Sequence, residues 1–366
     1  MKLLVGNDVG NSDTKIHING DYHKQPSVFA KIGKIPNMDE VKPESVKKDL
    51  MNNIMVTINS PACHAGTYYI GKRALVSGLA VYNMDVTERK NTSDVYYINT
   101  LGLIAGYAVY KAETMDRKVE VEIDMACSLP VNQYTKNEAK IVRERFGNDT
   151  HNITVHLGNK RVNVDIKFNY IKVLPESVSI MFALKEMVSK SYDDKKILHV
   201  AIGEGTTEYP LTHGVAFNPD FINGSNNGIG HAIEKALDPF KEKFGLMNYN
   251  RQKYSELLQT NHKYSGVAID FLQQHLDSEA NTILRYVKGE IEKANGECDI
   301  VICHGGGSIL MREHLENKLK ELCKQKVIEL FFVNESKAVS LESEGLFAFA
   351  NSGIFENLKL KSTKEA

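Results

Sequence analysis

Asp8-Val9-Gly10-Asn11-Ser12-Asp13-Thr14-Lys15 is the stretch from which the rest of the chain can be read. Residues 2–9 before the turn alternate and are β-rich, and residues 14–18 after it alternate again. Gly10-Asn11-Ser12-Asp13 is turn chemistry, so the chain is predicted to open with a hairpin. The turn residues suit more than chain reversal. Gly10 has no Cβ to hold a phosphate away from the backbone. Backbone N–H groups and the side chains of Asn11 and Ser12 can donate to phosphate oxygens. Lys15 adds a point charge for the same oxygens. Asp8, delivered by the strand, is placed to hold a magnesium ion through water, because magnesium gives up its hydration shell reluctantly. An ordinary polar hairpin is the other reading of this segment taken alone.

Two further glycine turns follow. Gly203-Glu204-Gly205-Thr206-Thr207 joins a buried strand at 196–202 to a second strand expected at 206–212. A strand–strand junction is not a Rossmann turn, and the GxxxxGK[ST] loop of P-loop enzymes is absent. Its glycine N–H groups and threonine hydroxyls suit β- and γ-phosphates, although a glycine-rich hairpin would look the same. The third turn, Gly305-Gly306-Gly307-Ser308, lies between a strand at 299–303 and a helix at 308–324. Three glycines would let a flat ring or a sugar lie against the backbone, and the helix N-terminus adds a favourable dipole. A capping turn with Ser308 near the cap explains it almost as well.

Around these turns the chain alternates strands and helices, which indicates α/β architecture. Helices are expected at 96–111, 136–146, 175–188, after Gly228, at 268–294 and at 337–350. Strands are expected at 119–127 and 327–333, with a hairpin around Gly158-Asn159. Each half of the chain thus opens with a hairpin around a glycine turn, which suggests a duplicated core.

Composition bounds the function. The 366 residues are 42% hydrophobic and 25% charged, as in a water-soluble globular protein. A formal net charge of -1 gives no electrostatic case for direct binding to nucleic acid or acidic membranes. Asp8 interrupts the apolar N-terminal run, so no signal peptide is expected. The most apolar stretch, 101–110, is too short to span a bilayer. Five scattered cysteines favour a reducing, cytoplasmic setting over a disulfide framework. Cys63-His64 reads as a surface loop and not as a ligand pair.

The order of the three turns resembles the actin, chaperone-ATPase and sugar-kinase superfamily, and the resemblance covers nearly the whole chain. Leu174-Pro175-Glu176-Ser177-Val178 resembles its first connecting helix. Asn334-Glu335-Ser336-Lys337-Ala338-Val339, leading into Gly345, resembles the second. Within the superfamily the details are most similar to bacterial plasmid-segregation actins of the ParM type. Cys127-Ser128-Leu129-Pro130-Val131-Asn132-Gln133-Tyr134 resembles their strand-end motif that places a catalytic Glu or Gln. The pairing Gly205-Thr206-Thr207 is also similar to theirs. Gly224-Ser225-Asn226-Asn227-Gly228-Ile229-Gly230 loosely resembles the region where they close around the nucleoside.

The resemblance implies an actin-like α/β fold, with two duplicated RNase H-like domains flanking a nucleotide cleft. It implies domains at 1–172 plus 335–366 and at 173–334. It further implies an ATP- or GTP-driven filament with magnesium, joined to plasmid DNA through an adaptor protein of ParR type, so that DNA contact is indirect. Gln133 would orient the attacking water. The family's second turn normally reads Asp-x-Gly-x-Gly-Thr, and here Ala201 stands at the Asp position. Glu204 could supply a carboxylate from another place on the turn. Slow or absent hydrolysis is therefore expected, since losing one positioned charge can cost on the order of a hundredfold. A sugar or small-molecule kinase of the same superfamily is the alternative. It would need a carboxylate base for a sugar hydroxyl, and none stands out beyond Asp8.

Overall fold

The opening hairpin forms as read. Lys2–Val9 pairs antiparallel with Asp13–Ile18, and this register sets Asp8 opposite Lys15. The computed structural model describes residues 1–85, 88–115, 118–187, 192–218, 220–221 and 223–365. The chain divides into two compact units. The first comprises Met1–Leu129, Gln133–Leu174 and Leu346–Ala366, and the second comprises Pro130–Asn132 and Pro175–Gly345.

The sheet of the first unit runs Asp21–Pro26, Asp13–Ile18, Lys2–Val9, Val119–Leu129, Lys160–Pro175, His151–Leu157, Met55–Asn59, Gly66–Ile70, Val28–Lys31, Val81–Asn83. Lys2–Val9 has a parallel neighbour in Val119–Leu129. Helix Asp94–Lys111 is buried on nearly every side, which explains its long apolar run. Gly102 sits inside it despite the helix-propensity cost of glycine. A Cβ there would lie 1.9 Å from Ile70 Cδ1, so glycine is what lets the helix meet the sheet.

In the second unit Lys196–Ile202 runs parallel to Ile300–His304, which runs parallel to Glu329–Phe332. Both faces of these strands are covered, so they read as continuous apolar runs. Ile197, Ile300 and Ile302 pack with Ile180, Met181 and Leu184. Leu198, Val200, Ile202, Val301 and Cys303 form the opposite core with residues of helices Gly230–Phe244, Ser265–Lys293 and Gly306–Lys326. The apolar face of Ser265–Lys293 carries Leu272, Leu276, Ala280, Ile283, Val287 and Ile291 at helical spacing.

Four expected elements need correction. No helix starts at Pro175: the strand Lys160–Pro175 runs through it, and the helix is Ile180–Met187. Between them Ser177 has φ 71°, and its N–H donates to Glu342 Oε2 at 3.0 Å. The expected end at Val188 lies outside the described residues. The strand expected at 206–212 is broken into Thr207–Glu208 and Leu211–His213. Pro210 at the break has no N–H for the ladder, and its carbonyl still accepts from His199 N–H at 3.0 Å. The helix expected at 337–350 is two helices, Glu335–Ala338 and Leu341–Ala350, and a further helix follows at Gly353–Glu365. That last helix is anchored by buried Phe355, which meets Tyr170 edge-on at 5.0 Å, and by Lys359 on Asp124. The helix expected from Ser308 begins at Gly306.

All five cysteines are buried and free. Cys63 is therefore not a surface residue, although its neighbour His64 is exposed and pairs with Asp94. Burial pushes the Cys63 and Cys127 thiols up to about 12. Among the described residues no helix is long and apolar enough to cross a membrane.

Candidate functional site

Each unit holds a turn of the same build. In the first, Gly10 N–H donates to the Asp13 carbonyl at 2.9 Å; in the second, Gly203 N–H donates to the Thr206 carbonyl at 2.9 Å. A Cβ on either glycine would lie 3.1 Å from that same carbonyl. Each turn also follows a strand with a parallel neighbour. The internal echo read in the sequence is thus a repeated local geometry.

In the first turn Gly10, Asn11 and Ser12 are half-buried, and Ser12 Oγ donates to Asp13 Oδ2 at 3.0 Å. Lys15 Nζ bonds Asp8 Oδ2 at 2.5 Å, with the Asp8 carboxylate buried. Burial alone would lower the Lys15 pKa, but the charge and hydrogen bond of Asp8 outweigh it and raise it. Lys15 therefore stays cationic beside the bare backbone of Gly10: a Cβ there would be 3.6 Å from its Nζ. A glycine cradle with a fixed cation fits a phosphate. Asp8 fits a magnesium ion held through water, which needs only one or two protein carboxylates. Among the described residues no group of three or more His, Cys, Asp or Glu is placed to hold a metal.

The second unit brings the other turns together. The segment after Asn226 closes on the phosphate turn through Gly228 N–H to Gly205 O (3.3 Å), Ile229 N–H to Gly203 O (3.2 Å) and Gly230 N–H to Glu204 O (2.7 Å). Thr207 Oγ1 donates to Asn227 O at 2.7 Å, so this hydroxyl is spent on the same closure. A Cβ on Gly228 would lie 2.2 Å from Glu204 O. Gly228 is needed by the turn itself. Thr206 and Gly203 remain half-buried, whereas Gly205 is buried.

The three glycines of the third turn have separate roles. Gly305 has φ +87°, and a Cβ there would strike Ile202 O at 2.5 Å. A Cβ on Gly307 would lie 2.8 Å from Ile202 O and 2.9 Å from Gly203 O. These two let the helix start pack against the end of the phosphate-turn strand. Gly306 meets nothing nearer than Val339 Cγ2 at 3.9 Å, so it alone offers open backbone. Ser308 is buried and donates from Oγ to the Gly305 carbonyl at 2.7 Å, tightening the cap.

Three residues singled out for hydrolysis have informative surroundings. Ala201 is half-buried near the end of its strand. Glu204 is buried and committed elsewhere: Arg251 Nε lies 2.8 Å from Oε1, and Ser255 Oγ donates to Oε2 at 2.7 Å. Gln133 accepts the Lys90 N–H at 3.0 Å and donates to the Glu88 carbonyl at 3.3 Å, so its amide is held by that neighbouring segment. Sequence reasoning missed Arg251, Ser255 and Glu208. Only Glu208 carried a signal, as a charged residue directly following the Thr206-Thr207 pair in a strand.

The two connecting segments meet within the second unit. A Cβ on Gly345 would lie 2.4 Å from Ser179 O, and Ser179 Oγ donates to Glu342 Oε1 at 2.9 Å.

This duplicated α/β architecture with paired glycine turns is an actin-like fold. Residues 6–178 match the family described as actin-like proteins, N-terminal domain. The chain is similar to solved actin-like structures along nearly its whole length. Actin-like protein Alp7A is 14% identical, with 100% of this chain and 99% of that one covered and a TM-score of 0.71. An archaeal actin homologue is 17% identical, covering 95% and 99%, with a TM-score of 0.64. Bacillus thuringiensis ParM with ATP is 17% identical, covering 98% and 99%, with a TM-score of 0.63. No curated protein sequence gives a significant match. The chain thus has an actin-like fold, its residues 6–178 match the actin-like N-terminal family, and ParM proteins stand among its structural neighbours.

Proposed function

We propose that this protein binds ATP or GTP with magnesium through its glycine turns, and polymerises when the nucleotide is bound. The observation that carries this reading is the repeated turn, with the same glycine-to-carbonyl bond in each unit and Lys15 fixed beside Gly10. Asn11 and Ser12 donate to phosphate oxygens in the first unit and Thr206 does so in the second, while Gly10 and Gly203, whose N–H groups close their own turns, leave the backbone open to the phosphate. Lys15 and Asp8 neutralise each other in the present arrangement. With nucleotide, Lys15 turns to phosphate oxygens, and Asp8 would hold the magnesium ion. The metal would supply charge neutralisation on the phosphates. Gly306 gives the sugar or base its contact with backbone.

Structural neighbours described as ParM with ATP and ParM with ADP support the nucleotide class. A relative described as a non-polymerisable ParM mutant supports self-assembly as the behaviour of the group. By the same resemblance the filament segregates plasmid DNA through a DNA-binding adaptor of ParR type, and the near-neutral charge suits indirect DNA contact. Sedimentation of the full chain with ATP, with GTP and without nucleotide tests the reading. Pelleting and light scattering that depend on nucleotide are expected. A chain that stays in the supernatant in all three would refute polymerisation.

A further inference from the structure

The first phosphate turn is closed by its own carboxylate. Strand register sets Asp8 directly opposite Lys15, and residues opposite one another project to the same face of the sheet. There Lys15 Nζ bonds Asp8 Oδ2 at 2.5 Å, with side-chain exposures of 18% and 6%. The same ammonium lies over the turn, since a Cβ built on Gly10 would come 3.6 Å from it. Asp8 thus stands against Lys15 as a phosphate oxygen would, an anion bonded to the cation beside bare backbone. Asp13 and Tyr22 are the other titratable groups that act on Lys15, and Asp13 is engaged by Ser12 Oγ at 3.0 Å. A phosphate that takes the ammonium must displace the Asp8 carboxylate. The carboxylate left behind is buried, and a buried charge stripped of its partner is strongly unfavourable. Salt screens a site this enclosed only weakly. A divalent cation arriving alone meets the converse problem, because Asp8 is already neutralised and its ammonium partner repels the ion. Phosphate and cation arriving together satisfy both charges: the phosphate takes Lys15 and the cation takes Asp8.

We propose that Asp8 is an autoinhibitory counter-ion for Lys15, so that the first turn selects metal-bound polyphosphate and rejects free anions, metal-free nucleotide and free magnesium alike. The proposal rests on the nucleotide-binding reading above and adds to it the state of the empty site. A hairpin ion pair that only stabilised the strands would behave differently, because removing the Asp8 charge here has opposite effects on two forms of one ligand. Asp8→Asn releases Lys15, so metal-free nucleotide binds better. The same change removes the carboxylate that receives the cation, so metal-bound nucleotide binds worse. By linkage, the factor by which magnesium favours nucleotide equals the factor by which nucleotide favours magnesium, and couplings of this kind are typically about 5–150-fold.

The test measures dissociation constants of ATP and GTP for the full chain and for Asp8→Asn, in EDTA and in excess magnesium, together with the melting temperature of each protein. In EDTA, Asp8→Asn is expected to bind about 5–150-fold more tightly than wild type, and in magnesium the order is expected to reverse. Lys15→Gln gives an independent reading that needs no nucleotide. It leaves the Asp8 carboxylate without its cation, so magnesium alone should raise its melting temperature while leaving that of wild type unchanged. Wild type that binds metal-free nucleotide as tightly as Asp8→Asn overturns the counter-ion role and leaves the nucleotide site standing. A lowered melting temperature in Asp8→Asn with no reversal of the binding order does the same, since that is what a purely structural pair would give. A melting temperature of Lys15→Gln that magnesium does not move overturns the role even if Asp8→Asn fails to fold. No binding of ATP or GTP by wild type in either condition overturns the site reading itself.

Discussion

Alanine for glycine should have opposite effects in two helices of the second unit, and the contrast tests how the third turn is packed. In an exposed helix interior this change stabilises by roughly 0.5–1 kcal/mol, because glycine has more backbone freedom to lose. Gly289 in helix Ser265–Lys293 is exposed and has nothing within 4 Å of an added Cβ, so Gly289→Ala should gain about that amount. Gly307, in the first turn of Gly306–Lys326, has no such room. Its Cβ would come within 2.6 Å of Ile202 Cγ2 and within 2.8 and 2.9 Å of the Ile202 and Gly203 carbonyl oxygens. A side chain can rotate away from such a contact, but two backbone carbonyls at the end of a central strand cannot. Overpacking of this kind costs about 1–3 kcal/mol. After the propensity gain is subtracted, Gly307→Ala should destabilise by about 1 kcal/mol, within a range of about 0–2.5 kcal/mol. Thermal unfolding reads the difference, since 1 kcal/mol moves the midpoint by roughly 2–4 °C in a unit of 150–250 residues. Gly289→Ala should melt higher than wild type and Gly307→Ala lower. An equal rise in both would show that the third turn does not pack against the phosphate-turn strand as described.

Three further outcomes follow from the same contacts. Arg251→Met leaves Glu204 buried without its ion-pair partner and should cost about 3–5 kcal/mol. Adding Glu204→Gln should recover much of that loss, and denaturant titration of both variants would show it; no difference between them would mean that the pair is unimportant. Acid should destabilise the fold through buried neutral histidines. Burial, with help from Arg161, lowers His156 to about 4, and burial, with help from His304, holds His199 well below its usual value. Both histidines would protonate near 6.5 in the unfolded chain, so stability is full above that pH. It is lost as pH falls toward the folded values, for His156 by roughly 1.5 kcal/mol between pH 6.5 and 5. His156→Gln should flatten the decline, and a denaturation midpoint unchanged between pH 7 and 5 would contradict this. Finally, Lys15→Ala should weaken nucleotide binding by about 10–150-fold, the equivalent of one charge-assisted hydrogen bond of 1.5–3 kcal/mol. Equal binding would remove Lys15 from the phosphate site.

Much of the architecture could be read from local pattern. The opening hairpin, the buried helix Asp94–Lys111, and the two parallel strands Lys196–Ile202 and Ile300–His304 each follow from period and turn chemistry. The errors came where tertiary contacts override local signals. Pro175 looked like a helix start, yet the strand continues to it and the backbone then turns through Ser177, which is held by Glu342, 165 residues away. Gly228 and Gly307 looked like ligand glycines because sequence does not show which backbone faces them. Structure shows that both are pressed against the phosphate turn. Glu204 looked like a spare carboxylate until Arg251 was found beside it, 47 positions along the chain. Periodicity names the elements, but partners distant in sequence decide which polar groups are already committed.

Calorimetric titration of the full chain with magnesium and ATP or GTP tests the central claim most directly. One site per chain is expected, with binding weakened in Lys15→Ala and with the binding-competent protein pelleting as filaments. No binding of either nucleotide at concentrations where the folded chain remains intact would contradict the nucleotide-binding role of the glycine turns.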